Sequence, residues 1–261
     1  MLKNLVLITG ASQGFGKELA LVIATSFMVK PPTEVILAAR SLPNLEQTKQ
    51  EFAKLNPRPD IEISTFHLNY ESETLENDIG ELLAKLGPKY NHIYLINNAG
   101  TLGKLDHVRN LSYHDILSNV QINLTGPLFM TGKILEKYDQ NSKITVVNVS
   151  SLAAIQPFDT WGLYCATKAA RNMYHRNIAL EEDLLKNRVR VLNYAPGPLD
   201  TAMQQRIREE MPDVDLKKAF TNMHHENNLV KPKDSAQALI HLLEKDEFEN
   251  GAHVDYFEIK K

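Results

Sequence analysis

The sequence predicts one α/β domain built on a parallel, doubly wound sheet with helices on both faces. Strand-like segments alternate with helical segments about seven times, which is typical of repeated βαβ units. The first strand segment, Leu5-Val-Leu-Ile8, is apolar throughout, as expected of a central parallel strand buried on both faces. The chain has 261 residues, of which 43% are hydrophobic, so it can bury a large core. We therefore expect residues 1–261 to form a single domain with a seven-stranded sheet.

The expected strands are apolar or alternating runs bounded by glycine, proline or polar residues. In chain order they cover residues 5–8, 34–39, 61–67, 93–96, 143–149, 188–194 and 252–256. The third run alternates apolar and polar residues, as a strand does when one of its faces is buried.

The expected helices lie between these strands. They begin at residue 17, after a glycine-rich turn, and then cover residues 45–55, 75–86, 111–138, 160–186 and 234–243. Gly87-Pro88 closes the third helix, because proline cannot continue a helix. Residues 198–230 contain helical pieces with Met, Phe and His, and we expect this segment to cover a substrate site.

Charge and composition exclude several classes of partner. The formal charge is −3 and Lys and Arg form no runs, which argues against nucleic acid or an anionic membrane as a partner. Small molecules are the expected ligands. The apolar stretches at residues 5–8 and 19–29 are too short for a signal peptide or a membrane span, which needs about 20 residues.

Cysteine and histidine usage argues against disulfides and metal. Cys165 is the only cysteine, so the chain can form neither an internal disulfide nor a zinc site of several thiolates. That composition favours a reducing compartment, most simply the cytoplasm. The adjacent His224 and His225 lack partners at the spacing of metal ligands, so we expect no metal.

The turn Thr9-Gly-Ala-Ser-Gln-Gly-Phe-Gly16 connects the first strand with a helix. Free backbone N–H groups and the positive end of the helix dipole meet there, so a phosphate can dock. Gly10, Gly14 and Gly16 permit a close approach of the ligand to the backbone. Their spacing differs from the G-x-G-x-x-G fingerprint, and the alternative is an ordinary tight βα connection.

Arg40 ends the second strand, and Ser41 follows it. In dinucleotide-binding folds an acidic residue at this point binds the ribose hydroxyls of NAD, whereas an arginine accommodates the 2′-phosphate of NADP. The sequence therefore predicts NADP(H) over NAD(H), the alternative being a surface arginine without this role.

Amide side chains occur at two further strand ends and inside one helix. Asn69 follows the third strand, where it can bind an adenine edge or cap a helix. The turn Asn97-Asn-Ala-Gly100 follows the fourth strand, at the edge where open α/β sheets bind ligands. Pro127 has no N–H for the carbonyl of Asn123, so that carbonyl is free to hold a water.

Tyr164 and Lys168 are four residues apart, so a helix places the ammonium beside the phenol. A free phenol ionises near ~10, and a cation at about 4 Å in an effective dielectric of about 20 favours the phenolate by roughly 4 kcal/mol. Such a phenol can exchange protons at neutral pH. Ser151, at the end of the preceding strand, can bind the same substrate oxygen. Taken alone, this spacing is also common on ordinary solvated helix faces.

Five motifs occur in order along nearly the whole chain: the turn at residues 10–16, Asn97–Gly100, Ser151, Tyr164-x-x-x-Lys168 and Pro196-Gly197. In this order and spacing they resemble the short-chain dehydrogenase/reductase family. The resemblance implies an extended Rossmann fold, NADP(H) at the carboxyl edge of the sheet, and a homodimer paired through the long helices. It also implies a catalytic set consisting of Asn123, Ser151, Tyr164 and Lys168. The family more often has an aspartate at the position of Asn69.

Three longer segments, residues 150–171, 189–201 and 251–255, are similar to members of this family that reduce pterins. The similarity implies a pterin substrate with a side-chain ketone, anchored by Asp255. A carboxylate suits that role chemically, because it accepts both parallel N–H donors of a pterin ring. A broad-specificity carbonyl or diketone reductase and a non-catalytic NADP-sensing or scaffold protein are the alternatives.

The same resemblance implies the following site residues. The cofactor contacts are Gly10, Ala11, Ser12, Gln13, Gly14, Phe15, Gly16, Arg40, Ser41, Asn69, Tyr70, Asn97, Lys168, Leu199, Asp200, Thr201, Ala202, Met203 and Gln204. The substrate contacts are Ser151, Leu152, Tyr164, Gly197 and Asp255. In the implied mechanism Ser151 binds the ketone oxygen, Tyr164 protonates it, and Lys168 lowers the pKa of Tyr164. A water at Asn123 relays the proton.

Overall fold

The computed structural model describes residues 2–29, 32–56, 58–138, 142–184 and 189–259. Its strands are β1 (Asn4–Thr9), β2 (Thr33–Ala39), β3 (Ile61–His67), β4 (His92–Asn97), β5 (Lys143–Val149), β6 (Val189–Ala195) and β7 (His253–Asp255). All pair in parallel, in the order β3-β2-β1-β4-β5-β6-β7. The predicted fold class is confirmed. The predicted element ends at residues 185, 186 and 188 lie outside the described residues.

Helices cover both faces of this sheet. They are α1 (Gly14–Ile23), α2 (Leu42–Leu55), α3 (Leu75–Lys85), α4 (Tyr113–Val120), α5 (Gly126–Tyr138), α6 (Gly162–Leu184), α7 (Ala202–Glu210), α8 (Val214–His225), α9 (Pro232–Lys245) and α10 (Tyr256–Ile259). Val6 and Ile8 of β1 face a core formed with α1, α2 and α9. Leu5 and Leu7 face the opposite core, formed with α3, α5 and α6. Because both faces of β1 are covered, its residues 5–8 are apolar without alternation.

The helix predicted at residues 111–138 is divided into three segments. α4 ends at Val120, a π-helical turn follows at Gln121–Thr125, and α5 begins at Gly126. Pro127 has no N–H to donate to the carbonyl of Asn123, and the N–H of Gly126 bonds to Gln121 O, five residues earlier. The irregular turn follows from the proline.

The last strand is shorter than predicted. β7 ends at Asp255, where the sequence predicted a strand through Tyr256. The carboxylate of Asp255 accepts the N–H of Phe257 at 3.0 Å, which starts α10 at Tyr256 instead of continuing the strand.

A crevice for ligands follows from the strand order. β1 and β4 are neighbours although β2 and β3 lie between them in the chain, so the winding direction reverses at this point. Ligands of open α/β sheets bind at such a reversal, at the carboxyl ends of the strands. The turns that follow β1 and β4 meet there. Leu199 and Val230 form a bridge that closes the base of the 198–230 segment, which carries α7 and α8.

Candidate active site

Ser151, Tyr164 and Lys168 lie together at the carboxyl end of β5. Ser151 follows this strand, and its hydroxyl accepts the N–H of Ala153 at 3.1 Å. Tyr164 and Lys168 are buried on the inner face of α6. The Lys168 ammonium is 5.4 Å from the centre of the Tyr164 ring and donates to Val149 O at 2.8 Å. The structure thus brings together three of the four predicted catalytic side chains.

Burial governs the ionisation of this pair. It raises the pKa of Tyr164 to about 12, although a hydrogen bond with Ser151 and the charge of Arg171 lower that pKa. Burial, followed by the charge of Arg171, holds the pKa of Lys168 well below its ordinary value. The expectation that Lys168 brings the phenol towards neutrality is therefore wrong for the chain alone. The cost of removing both groups from water outweighs the attraction between their charges.

Asn123 is fully buried at the π-helical turn. Its amide oxygen accepts the N–H of Thr101, and its amide nitrogen donates to Thr101 O, both at 2.8 Å. The nitrogen also contacts Asn119 Oδ1 at 3.0 Å and Thr167 Oγ1 at 3.2 Å. Because the protein occupies both ends of the amide, the backbone carbonyl of Asn123 is the group left for the predicted water. That role stays a prediction.

The turn at residues 10–16 has the geometry of an anion site. Gly10 and Gly14 have positive φ angles of 68° and 54°. A Cβ on Gly16 would lie 2.3 Å from Gly10 O, so only glycine fits there. α1 begins at Gly14, and the N–H groups of a first helical turn have no partner within the helix. The glycine turn lies at the carboxyl end of β1, against the turn that follows β4.

The other residues of this turn differ in how far their side chains are available for the predicted cofactor contacts. Ala11 and Phe15 are buried in the core, and the Phe15 ring stacks on Tyr194 with 6.3 Å between centroids. Ser12 is half-buried, and Gln13 is exposed at the start of α1. The predicted contacts of Ala11 and Phe15 can therefore be made by their backbone only.

Arg40 lies exposed at the end of β2, as predicted. Its guanidinium is 3.3 Å from Glu71 Oε2, and the other carboxylate oxygen of Glu71 accepts the hydroxyl of Ser118 at 2.6 Å. Ser41 precedes α2, and Asn69 Oδ1 accepts the N–H of Glu71 at 3.1 Å. Asn69 thus forms a local turn that holds Glu71 beside Arg40. Glu71 was not among the predicted site residues, although an acidic residue two positions after Asn69 is visible in the sequence.

Two predicted cofactor contacts point into the core instead. Asn97 has no exposed surface, and its amide donates to Thr131 Oγ1 at 2.7 Å. Tyr70 is buried against Gly126, where a Cβ would lie 2.4 Å from the Tyr70 ring. Contacts within the protein thus occupy both side chains, and the structure does not support a side-chain role at the cofactor for either residue. Their sequence position at strand ends was right, but the direction of the side chains was not readable from it.

Asn98, which the sequence analysis did not select, connects the two turns of the crevice. Its amide donates to Thr9 O at 3.0 Å and to Gly10 O at 3.1 Å. Thr9 Oγ1 in turn accepts the N–H groups of Asn98 and Ala99, both at 3.1 Å. The Asn-Asn pair was the sequence signal, and the second asparagine is the one that braces the glycine turn.

Arg171 was also missed. It lies on the same face of α6 as Tyr164 and Lys168, seven and three residues after them, and it is fully buried. Its guanidinium donates to Asn97 O at 2.7 Å and to Ala99 O at 3.1 Å. The helical spacing from Tyr164 was the signal that could have found it.

The predicted cofactor loop at residues 199–204 runs from the sheet into α7. Thr201 approaches the glycine turn, since a Cβ on Gly14 would be 3.7 Å from Thr201 Cγ2. Gln204 is 3% exposed, and neither its amide oxygen nor its nitrogen has a partner within the described residues. Asp200 Oδ1 is 3.8 Å from His224 Nδ1 of α8. Ala202 and Met203 are exposed. Leu199 packs against the core.

Tyr164 belongs to an apolar cluster, the Trp161 cluster. It consists of Leu102, Leu105, Ala153, Trp161, Tyr164, Ile207 and Met211, with Phe158 and Phe220 at its margin. Ile207 lies in α7 and Met211 directly follows this helix, so the 198–230 segment contributes to the cluster. Leu152 is 43% exposed beside Ser151.

Gly197 and Asp255 lie on the β6–β7 side of the crevice. Gly197 has a φ of 79°, and a Cβ there would be 3.1 Å from the side chain of Val230. Asp255 pairs in register with Ala195, and its strand is separated from β5 by β6 alone. Because neighbouring strands are about 4.8 Å apart, Asp255 is on the order of 10 Å from the end of β5. Its capping bond to Phe257 uses one carboxylate oxygen.

A comparison with known families decides the family. The family model described as short chain dehydrogenase matches residues 4–212. The chain belongs to this family. Its members are oxidoreductases that bind a nicotinamide cofactor, which agrees with the crevice and the residues around it.

Individual relatives cover nearly the whole chain. Sepiapterin reductase of Bos taurus is 40% identical over 98% of this chain and 95% of its own length. Benzil reductase ((S)-benzoin forming) of Bacillus cereus is 31% identical over 94% of this chain and 96% of its own length. The crystal structure of the KRED1-Pglu enzyme is 28% identical, with a TM-score of 0.79 over 97% of this chain and 100% of that one.

Two further properties concern metal and membrane. Within the described ranges no group of three or more His, Cys, Asp or Glu side chains is arranged to hold a metal ion. In that part of the chain, no helix has the length and apolar character needed to cross a bilayer.

Proposed function

We propose that this chain reduces the side-chain ketone of a pterin with NADPH, in the final step of tetrahydrobiopterin formation. The observation that carries the proposal is the 40% identity with a sepiapterin reductase over 98% of the chain. Ser151, Tyr164 and Lys168 meet at the carboxyl end of β5, in the arrangement that a ketone reduction needs.

The residues of the crevice fit NADP(H). The glycine turn leaves backbone N–H groups free at the start of α1, where a pyrophosphate docks. Arg40 is the cation that the 2′-phosphate requires. The amide of Gln204 is buried and has no partner within the described residues, so it offers two donors and an acceptor to a ligand amide. When bound, the cofactor supplies the hydride.

The catalytic roles follow from the positions of the side chains. Ser151 donates a hydrogen bond to the ketone oxygen, and Tyr164 gives its proton to that oxygen as negative charge develops on it. Lys168 orients the ribose and the Tyr164 ring, and the carbonyl of Asn123 holds the water through which Tyr164 regains its proton. These roles keep the predicted set of four residues.

Asp255 is the proposed anchor of the pterin ring. One of its oxygens caps α10, and β7 places the residue about two strand spacings from the end of β5, which Ser151 follows. That spacing suits a bicyclic ring held at one end and reduced on the side chain at the other. The 198–230 segment covers the ring from above, through the α7 residues that wall the Trp161 cluster.

Purified protein mixed with NADPH and sepiapterin provides the test. We expect NADPH absorbance to decay at a rate proportional to enzyme, and the Tyr164→Phe variant to give no comparable decay. A protein that oxidises NADPH with simple diketones but not with sepiapterin would replace this proposal by a broad diketone reductase, which the likeness to benzil reductase favours as second candidate.

We also propose a cytoplasmic homodimer. Exposed apolar residues concentrate on two adjacent helices, with Tyr113, Ile116 and Leu117 on α4 and Met173 and Leu180 on α6. A second copy of the chain would bury this face. The single cysteine agrees with a reducing compartment.

A further inference from the structure

The inner face of α6 carries a row of polar side chains that is unusual for a buried helix face. Tyr164, Lys168, Arg171 and His175 follow one another at spacings of four, three and four residues, which places them in one stripe. All four are buried, and Arg171 and His175 have no exposed surface. Apolar residues normally occupy such a stripe. A row of ionisable groups there calls for a role in the site that it borders.

Arg171 is paired with backbone and not with an acid. Its guanidinium donates to the carbonyls of Asn97 and Ala99, and no carboxylate lies within ion-pair distance of it among the described residues. Removing a guanidinium from water without a counter-ion is costly, so fold stability alone would favour an apolar residue here. The two carbonyls belong to the turn that follows β4, directly beside the Asn98 brace of the glycine turn.

We propose that Arg171 is a positioning residue of the active site: its guanidinium fixes the Asn97–Gly100 turn and supplies a permanent positive charge to Tyr164 and Lys168. This inference rests on the proposed function for the meaning of the site. Its physical content, the effect of one buried charge on two neighbours, can be measured without any substrate.

The charged and titratable groups that face Arg171 respond to it consistently. Burial raises the pKa values of Tyr164 and Tyr70 to about 12, and the charge of Arg171 acts against that rise. Burial, followed by the charge of Arg171, lowers the pKa of Lys168 and brings the pKa of His175 to about 3. Burial lowers the pKa of Arg171 itself only to about 10, so it remains charged at neutral pH. A cation held by two backbone carbonyls therefore lies three residues beyond Lys168 on the helix face that carries Tyr164.

The neutral variants Arg171→Gln and Arg171→Met test this role. Removing the positive charge makes Lys168 easier to protonate, so its titration midpoint should rise by about 1 pH unit or more. The midpoint is read by NMR on protein with ¹³C-labelled lysine side chains, and the Lys168 signal is assigned by its loss in Lys168→Met. Both variants remove the charge, so both should raise the titration midpoint of Lys168. Gln keeps an N–H donor for the carbonyls of Asn97 and Ala99, whereas Met does not, so only Arg171→Met should weaken NADPH binding strongly.

Activity gives the second readout. A higher pKa makes Tyr164 a weaker proton donor, so kcat/KM for ketone reduction should fall about 10- to 100-fold in Arg171→Gln, and the pH limb that reports Tyr164 should move to higher pH. Arg176→Gln, an exposed arginine on the same helix, is the matched control and should leave the Lys168 midpoint in place.

An unchanged or lower Lys168 midpoint in Arg171→Gln would overturn the proposal. If neither neutral variant folds, the wild-type protein decides: a Lys168 midpoint at its ordinary value would show that no buried cation acts on it. The Lys168 titration midpoints of the variants and of the wild-type protein are measured without substrate. They therefore test this proposal even if sepiapterin proves not to be reduced.

Discussion

The two ends of the crevice differ in how they hold their charges. At the catalytic end, Lys168 and Arg171 are buried and donate to backbone carbonyls. At the opposite end, Arg40 has 65% of its side chain exposed and faces Glu71, a carboxylate, at 3.3 Å. The same charge type is thus placed in two very different dielectric environments.

This difference in burial predicts how strongly substitutions at each end should affect activity and how far those effects should depend on salt. Burial changes the pKa values of the catalytic groups by more than any single neighbour does, as Tyr164 shows. Exposed pairs such as Arg40 with Glu71 are screened by water and salt and contribute little to stability. We therefore expect large, salt-independent effects at the buried end and small, salt-dependent effects at the exposed end.

The largest effect is expected for Tyr164→Phe. Loss of the proton donor should lower kcat by on the order of 10²- to 10⁴-fold, because no other group can protonate the ketone oxygen with the same geometry. NADPH affinity, followed by fluorescence titration, should change little. Tyr174→Phe, on the same helix but partly exposed, is the control. Near-normal turnover in Tyr164→Phe would remove this residue from the mechanism.

The same contrast explains what the sequence could predict. The strands and most helices were readable because their apolar pattern is local, and Ile61–His67 and Lys143–Val149 match their predicted bounds. The catalytic motif was readable because Tyr164 and Lys168 share a helix face. Side-chain direction at strand ends was not, since Asn97 turns inward to Thr131 through a contact 34 residues away.

The ionisation of the site was equally beyond the sequence. A pKa depends on how much water reaches a group, and that depends on packing contributed by distant segments. The sequence placed a cation next to Tyr164 but gave no measure of burial. The helical spacing from Tyr164 pointed to Arg171, but the sequence did not show its partners, which are carbonyls 72 and 74 residues earlier in the chain.

An intermediate effect is expected at Asp255, which is partly buried at the sheet edge. Asp255→Asn keeps an oxygen to cap α10 but removes the charge that holds the pterin. KM for sepiapterin should rise about 10- to 100-fold, the equivalent of one hydrogen-bonded ion. KM for a simple diketone, which has no ring N–H donors, should stay the same. Equal changes for both substrates would mean that Asp255 acts through the fold and not as the anchor.

The smallest effects are expected at Arg40 and Glu71. Arg40→Asp should lower the preference for NADPH over NADH about tenfold, because the 2′-phosphate loses its cation and meets a carboxylate. Glu71→Gln should raise that preference about two- to threefold, since it frees Arg40 from its partner. The measurement is kcat/KM with each cofactor at low and high salt. Both effects should shrink as salt rises, because exposed charges are screened within about 10 Å at 0.1 M. Salt-independent effects at Arg40 would mean that this end of the crevice closes over the cofactor as tightly as the catalytic end does.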